Sequence, residues 1–313
     1  MNTLLAIVTP VFGVMLLGFI AAKIGWFDLA ANRSLSIFVF NFAIPPLLFR
    51  NLAQAQLPAQ LPWGYLLSYF LVAFGLFGLA YWSTRNYAER THQGASICAL
   101  SACYGNSVLM GIPLTLTAFG EQASVPLFLL LALQSPLLMP TVTVALELGR
   151  GNPLQVALNA LRGLLTNPVI VALLLGFIWN LLVLSVPGPV NELARLLSQA
   201  ATPCALFATG AALNQYRIAG NLAESLGLVS LKIVLQPLLV WLLASQVFQL
   251  PPLWTAVAVL IAALPTGVNA YLFAQRYNIG IATATTTIFL STALSMLTLP
   301  VVLWLLGATR SLQ

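Results

Sequence analysis

Long apolar segments are the feature that most limits how this chain can fold. Of its 313 residues, 60% are hydrophobic and only 6% are charged, whereas a water-soluble globular protein carries roughly 25% charged residues. The apolar runs are continuous, unlike the alternating segments of about ten residues in an outer-membrane barrel. Since roughly 20 such residues cross a bilayer as a helix, the sequence predicts an all-α polytopic membrane protein that lies in the lipid bilayer.

Ten apolar segments are long enough to cross the membrane. The connections between them are short, so we expect no inserted soluble domain. In chain order the predicted spans 1 to 10 are 3–22, 33–50, 62–82, 93–119, 123–146, 166–184, 190–213, 222–248, 253–278 and 281–306.

Basic residues are distributed unevenly between the two predicted faces. The connections that follow odd-numbered spans hold eight of them and the opposite face holds three: Lys23, Arg33, Arg85, Arg90, Arg150, Arg162, Arg217 and Arg276 against Arg50, Arg195 and Arg310. Because Lys and Arg are enriched in cytoplasmic loops, we expect both termini in the periplasm. The helical spans indicate a bacterial inner membrane. The net charge of +6 forms no basic run, which argues against nucleic-acid binding.

Potential metal ligands are few and scattered. Cys98, Cys103 and Cys204 lie in apolar segments without a CxxC pair, and His92 is the single histidine. This pattern argues against a metal site and a disulfide scaffold. The lack of a nucleophile–base constellation argues against an intramembrane enzyme. We therefore expect no metal, no cofactor and no catalytic residue.

The two halves of the chain resemble each other. AIPPLLFRNLA (43–53) matches ATPCALFATGA (201–211) at an offset of 158 residues. Span 4 holds CYGNSVLMGIP (103–113) and span 9 holds LPTGVNAYLF (264–273), and both interrupt an apolar run with Gly, Pro and Asn. Five spans per half is an odd number, so the second half must cross in the opposite direction. The sequence thus predicts an inverted repeat of residues 1–153 and 154–313, and its paired interruptions favour a transport site.

A broken membrane helix supplies chemistry that an unbroken helix lacks. It frees backbone N–H groups that hydrocarbon cannot satisfy, and beside a cavity these groups, helped by the half-helix dipole, form an anion site. Asn106 and Asn269 could donate to a carboxylate or cap freed backbone groups. The candidate substrate-binding residues at the two interruptions are Gly105, Asn106, Ser107, Gly111, Pro113, Pro265, Thr266, Gly267 and Asn269.

Three further polar residues inside predicted spans are candidates. Lys232, in span 8, could neutralise the substrate, could bond half-helix carbonyls in place of a cation, or could extend its stem to the interface. Gln134 in span 5 could contact substrate or only bond a neighbouring helix. Asn41, beside the prolines of span 2, could line the scaffold side of the cavity.

The acidic residues bear on coupling. All six lie in loops or at span ends, whereas intramembrane proton relays usually use carboxylates inside spans. The sequence therefore disfavours proton antiport and leaves open potential-driven uniport or cotransport with an ion such as Na⁺.

The segments VFNFAIPPLLFRNLA, GNSVLMGIPL and LPTGVNAYLFAQRYN resemble the auxin efflux carrier family, which includes plant PIN-FORMED carriers and bacterial malonate and malate permeases. The resemblance implies a crossover fold similar to that of sodium/proton antiporters, in which spans 4 and 9 break and cross. Spans 1, 2, 6 and 7 would form a scaffold and spans 3–5 and 8–10 a moving transport domain. A homodimer through the scaffold is a further expectation of the resemblance.

The resemblance also implies a function. A secondary transporter would carry small mono- or dicarboxylates or auxin-like acids by elevator-like or rocking alternating access, with the substrate carboxylate beside Asn106 and Asn269. The alternatives are a cation-coupled symporter, a cation/proton antiporter of the same fold, and a membrane sensor that transports nothing.

Overall fold

The computed structural model describes residues 2–57, 63–147, 158, 162–163, 165–215 and 218–307. Its regular structure is helical throughout these residues, as predicted, except for one isolated β-bridge. In chain order the helices are α1 (Asn2–Lys23), α2 (Leu29–Ala53), α3 (Trp63–Asn86), α4 (His92–Cys103), α5 (Ser107–Phe119), α6 (Ser124–Glu147), α7 (Pro168–Leu181), α8 (Gly188–Leu213), α9 (Leu222–Val247), α10 (Pro252–Ala263), α11 (Asn269–Tyr277) and α12 (Ile281–Leu305).

Six of these helices are long and apolar enough to cross a membrane, namely α2, α3, α6 with the turn before it, α8, α9 and α12. Shorter apolar helices occur in α1, α5, α7 and α10. The two short pairs α4/α5 and α10/α11 occupy predicted spans 4 and 9. Both spans are therefore interrupted, each at a point where the sequence predicts a break.

Proline residues explain three widened turns that the sequence analysis did not predict. Five-residue π-helical turns, Val39–Ala43, Ser107–Gly111 and Leu231–Leu235, each end two residues before a proline, at Pro45, Pro113 and Pro237. The proline ring clashes with the carbonyl four residues earlier and cannot donate to it. A widened turn relieves this clash, so the helix continues through the proline.

Glycines bring α1 and α8 into backbone contact. A methyl group added to Gly18 would lie 2.1 Å from the carbonyl oxygen of Phe207, and one added to Gly210 would lie 1.8 Å from that of Met15. Helix α7 approaches α2 in the same way, since a methyl on Gly176 would lie 3.0 Å from the carbonyl oxygen of Phe49. Small residues permit such close approaches between membrane helices.

A partly buried ion pair joins the ends of three other helices. Arg90, just before α4, donates from Nε to Oε1 of Glu224 in α9 at 2.9 Å, and its guanidinium also reaches Thr283 of α12. The Glu224 side chain is only 4% exposed. Its hydrogen bonds to Arg90 raise the pKa of that guanidinium. This cluster ties residues from both halves of the sequence together.

Candidate functional site

The interruption between α4 and α5 is three residues long. Helix α4 ends at Cys103, Tyr104 is extended (φ −98°, ψ 116°), and Asn106 (φ −76°, ψ 60°) precedes the π turn that starts α5. Gly105 lies between them, where an added methyl group would lie 3.4 Å from atoms of Lys232 and Leu264. Gly111 and Pro113 belong to the resumed helix α5, so the break is shorter than the predicted segment 103–113.

The interruption between α10 and α11 contains Pro265. Leu264 is extended (φ −61°, ψ 148°), as a residue before proline must be. Helix α11 resumes at Asn269. The local sequence thus ends α10 with a proline and resumes the helix within five residues.

The two interruptions pair with each other as a short antiparallel bridge. The amide N–H of Asn106 donates to the carbonyl oxygen of Pro265 at 2.8 Å, and the N–H of Gly267 donates to that of Tyr104 at 2.9 Å. A methyl group on Gly267 would lie 2.8 Å from the carbonyl oxygen of Gly105. These mutual bonds satisfy backbone groups that the broken helices would otherwise leave unpaired.

Thr266 anchors the bridge to its surroundings. Its hydroxyl donates to the carbonyl oxygen of Ser101 at 2.8 Å, and its N–H donates to the hydroxyl of Ser291 at 3.0 Å. Thr266, Ser101 and Ser291 are all buried. The paired interruptions, residues 104–106 and 264–268, form one junction. Hydrogen bonds to each other, to Ser101 and to Ser291 hold this junction in place.

A small cavity of about 110 Å³ lies against this junction. Four residues with side-chain amides line it, Asn106, Gln134, Asn167 and Asn269. Asn106 is 9% exposed, and its side chain does not cap the helix that follows it. The Asn269 side chain is hydrogen-bonded to the Tyr104 side chain. Because capping does not occupy the Asn106 amide, this amide can bind a ligand. The other lining residues include Tyr104, Gly105, Ser107, Ser135 and Gly267.

The small cavity adjoins a larger one of about 480 Å³, because Ser135, Asn167 and Asn269 line both. The larger cavity is flanked by the exposed residues Arg162 and Arg276. Glu147 also lines it and accepts a hydrogen bond of 2.8 Å from the Tyr277 hydroxyl. Polar surface therefore continues from the junction to helix ends that carry basic residues.

Comparison with known proteins places this chain in a family. A family model described as membrane transport protein matches residues 3–303. The chain belongs to this family of membrane transport proteins. The resemblance to auxin efflux carriers is confirmed by relatives that match over most of their length.

Three relatives illustrate the range of the family. A Rhizobium meliloti protein provisionally named a malonate transporter is 31% identical, over 98% of this chain and 97% of its own. The uncharacterized transporter YfdV of Escherichia coli K12 is 27% identical, over 95% of each chain. Auxin efflux carrier component 8 of Arabidopsis thaliana is 25% identical, over 86% of this chain and 88% of its own.

In this family member, several predicted site residues support the junction without lining its cavities. Pro265 and Thr266 form the bridge, and Pro113 is buried within α5. Gly111 packs α5 on α10, since a methyl there would lie 2.7 Å from Leu264 Cδ1. The structure thus divides the predicted set into cavity-lining and supporting residues.

Three candidates inside the predicted spans have different surroundings. Gln134 lines the small cavity, and its buried amide donates to the Tyr69 hydroxyl at 2.9 Å. Asn41 is exposed and donates to Ile37 of its own helix, and Phe40 lines the cavity instead. Lys232 is buried and lines neither cavity. Its ammonium donates to the Ala262 carbonyl oxygen, so its stem does not extend to the interface.

Asn167 is the cavity residue that the sequence analysis missed. Its side-chain oxygen accepts from the N–H of Val169 at 3.0 Å and so caps α7. The side-chain N–H groups remain available to the cavities, which Asn167 lines. Asn before Pro168 is a recognisable helix-start signal, but that signal says nothing about the second role.

Proposed function

We propose that this protein is a secondary transporter that moves small carboxylate-bearing anions across the membrane by alternating access. The observation that carries the proposal is the group of three asparagines, Asn106, Asn167 and Asn269, around one cavity. Amide N–H groups donate hydrogen bonds to a carboxylate. The N-terminal ends of α5 and α11, at Ser107 and Asn269, add positive dipole ends.

The charge of the cavity lining favours an anion over a cation. No Asp or Glu is among the described residues that line the small cavity, whereas a cation/proton antiporter needs a titratable group at its site. The named relatives include carriers of malonate and auxin by name. Both compounds are carboxylic acids, so mono- and dicarboxylates form the proposed substrate class.

Contacts between the helices support the proposed ten-span inverted repeat with crossing broken spans. Gly18 and Gly176 are 158 residues apart, and so are the residues that they approach, Phe207 and Phe49. The segment LLGFI occurs at both 16–20 and 174–178. Repetition of one contact at one offset is what two copies of the same fold would produce. The close packing of α1 on α8 and of α2 on α7 also supports a scaffold of spans 1, 2, 6 and 7.

The large cavity supports an inward-facing conformation. It is flanked by Arg162 and Arg276, which lie on the face that the charge distribution predicts as cytoplasmic. With a negative interior, an exported anion gains about 2.3 kcal/mol per charge per 100 mV. We therefore propose potential-driven export from an inner membrane, with both termini in the periplasm. Reporter domains fused at the C-terminus that are active on only one side of the membrane test this topology.

The decisive experiment for the binding site is a thermal-shift screen of the purified protein. The panel is acetate, malonate, malate and indole-3-acetate. A ligand that binds only the folded state at 100 times its Kd adds about 2.7 kcal/mol to stability. We expect one of these acids to raise the thermal midpoint of the native protein and of Asn86→Ala, an exposed control on α3, but not that of Asn106→Ala.

Two results would count against the proposal. If no acid shifts the native midpoint, the carboxylate class is wrong. If Asn106→Ala responds as strongly as the native protein, the junction cavity does not bind the anion. Uptake of the stabilising acid into proteoliposomes then tests whether binding leads to transport.

A further inference from the structure

Lys232 places a buried ammonium group at the junction of the interrupted helices. The side chain is 0% exposed, and its Nζ donates to the carbonyl oxygen of Ala262 at 2.6 Å. Ala262 is the penultimate residue of α10. A methyl group on Gly105 would lie 3.4 Å from both Cε and Nζ of Lys232. The ammonium therefore lies beside the break in the other interrupted helix as well.

One turn further along α9, Gln236 makes the matching contact with α4. Its Nε2 donates to the carbonyl oxygen of Cys103, the last residue of α4, at 3.2 Å. Its Oε1 is buried and has no hydrogen-bond partner among the described residues. Helix α9 thus donates to the C-terminal ends of both interrupted helices, and Oε1 of Gln236, one turn from Lys232, has no donor among the described residues.

The counter-charge for this ammonium comes from helix ends. The described residues include all six Asp and Glu residues of the chain, and their ion pairs are with Arg90 and Arg195, not with Lys232. A buried ammonium without a counter-charge is strongly disfavoured. Each helix C-terminus carries roughly half a negative charge, so the ends of α4 and α10 together balance about one positive charge.

We propose that Lys232 is a fixed cation at this junction and occupies the position in which a cation-coupled carrier would hold its ion. The inference rests on the proposed transport of anions. It makes Lys232 a positioning residue, which holds the C-terminal ends together while the substrate binds at the N-terminal ends of the same broken helices. Its consequence is that anion binding and transport in this protein need no Na⁺ or other coupling metal cation.

Removing the lysine side chain should convert the position into a cation site. The carbonyl oxygen of Ala262 would then face a vacated space. One turn along α9, Gln236 contacts the carbonyl oxygen of Cys103 and offers its free Oε1 as a further ligand. Oxygen ligands of this kind suit hard cations. Lys232→Ala opens the space, whereas Lys232→Met removes the charge and keeps most of the stem.

The test compares NaCl with choline chloride at equal ionic strength, with malonate as the probe. In the native protein we expect the thermal midpoint and malonate uptake to be the same in both salts. Lys232→Met should lose at least tenfold in uptake in either salt. Lys23→Met, which changes the other lysine of the chain, should stay within twofold of native. Lys232→Ala should be less stable in choline and regain stability, and part of its uptake, as Na⁺ rises.

Saturable stimulation of native uptake or stability by Na⁺ would overturn the proposal. So would native-like uptake by Lys232→Met in choline, or a Lys232→Ala protein that is indifferent to Na⁺. The salt dependence of thermal stability decides the matter even if malonate is not carried, because it needs no substrate. The carboxylate screen of the native protein separately decides the proposed function. If neither variant can be purified, the Na⁺ titration of the native protein still supports or overturns the inference.

Discussion

Gly18 lies so close to Phe207 that α1 and α8 touch through their backbones, since a methyl group added to Gly18 would lie 2.1 Å from the Phe207 carbonyl oxygen. The counterpart contact of Gly176 with Phe49 is looser, at 3.0 Å. These two positions, 158 residues apart in the chain, therefore tolerate added volume to different degrees. The difference can be measured directly with single methyl groups.

We expect Gly18→Ala to destabilise the protein more than Gly176→Ala. A methyl at Gly18 has to displace helix backbone, which costs about 2 kcal/mol or more, whereas at Gly176 a shift of a few tenths of an ångström suffices. Gly13→Ala is the control on the same helix, since nothing lies within 4 Å of its added methyl, and alanine favours a helix by about 1 kcal/mol. Thermal midpoints in one detergent give the ranking. Equal midpoints for Gly13→Ala and Gly18→Ala would contradict the close packing.

Substitutions of Asn167 should separate its two roles, which are the capping of α7 and the donation of hydrogen bonds to a carboxylate. Asn167→Ser keeps a capping oxygen for the Val169 N–H but removes the amide donor, so stability should stay within about 0.5 kcal/mol while carboxylate affinity falls severalfold. Asn167→Ala should lose both, with about 1 kcal/mol from the lost cap. Asn221 caps α9 away from the cavities, and Asn221→Ala should lose stability alone. Ligand titrations by thermal shift measure both quantities, and unchanged affinity in Asn167→Ser would rule out the ligand role.

Arg276 should help to collect anions from the side of the large cavity. It lies seven residues, or about 10 Å along α11, beyond Asn269, and both line that cavity. Arg276→Gln should raise KM for an anionic substrate about threefold at low salt and leave the maximal rate unchanged, because exposed charges act by steering that salt screens. Arg195→Gln, exposed and paired with Glu192, is the control. A KM effect that persists unchanged in about 0.5 M salt, where screening is strong, would point to direct contact instead.

The two Arg–Glu pairs should differ sharply in their contribution to stability. Arg90→Gln leaves the nearly buried Glu224 carboxylate without its partner. The expected loss is about 2 kcal/mol, below the value for a fully buried pair because the Arg90 side chain is 35% exposed. Arg195→Gln breaks an exposed pair of similar geometry, and we expect no measurable change. Thermal midpoints compare the two, and a double change with Glu224→Gln should recover part of the loss.

The helical architecture could be predicted because its signals are local. Apolar runs set the helices, and Gly, Pro and Asn marked both interruptions. The extent of the first interruption was overestimated at Gly111 and Pro113. A proline is tolerated once the preceding turn widens, and that adjustment depends on packing and not on the sequence nearby.

The pairing of the two interruptions could not be predicted from either segment alone. The bond from Asn106 to Pro265 joins residues more than 150 positions apart, and no local pattern encodes it. The same holds for the contact of Lys232 with the Ala262 carbonyl oxygen, which joins residues 30 positions apart. Asn167 carried a clear helix-start signal, but its place at the cavity depends on how α7 packs. The repeated LLGFI, at 16–20 and 174–178, is by contrast visible in the sequence alone.

The bridge between the two interruptions has a consequence for how the anion changes sides. Separating Tyr104 from Gly267 or Asn106 from Pro265 would expose backbone groups to apolar surroundings, at a cost of several kcal/mol for each. Under the proposed mechanism the two bridged interruptions therefore move across the membrane together, without separating from each other. A binding site whose geometry does not change has the same intrinsic affinity for the anion at both faces of the bilayer. Concentration and voltage, and not a switch in affinity, then set the direction of net flux.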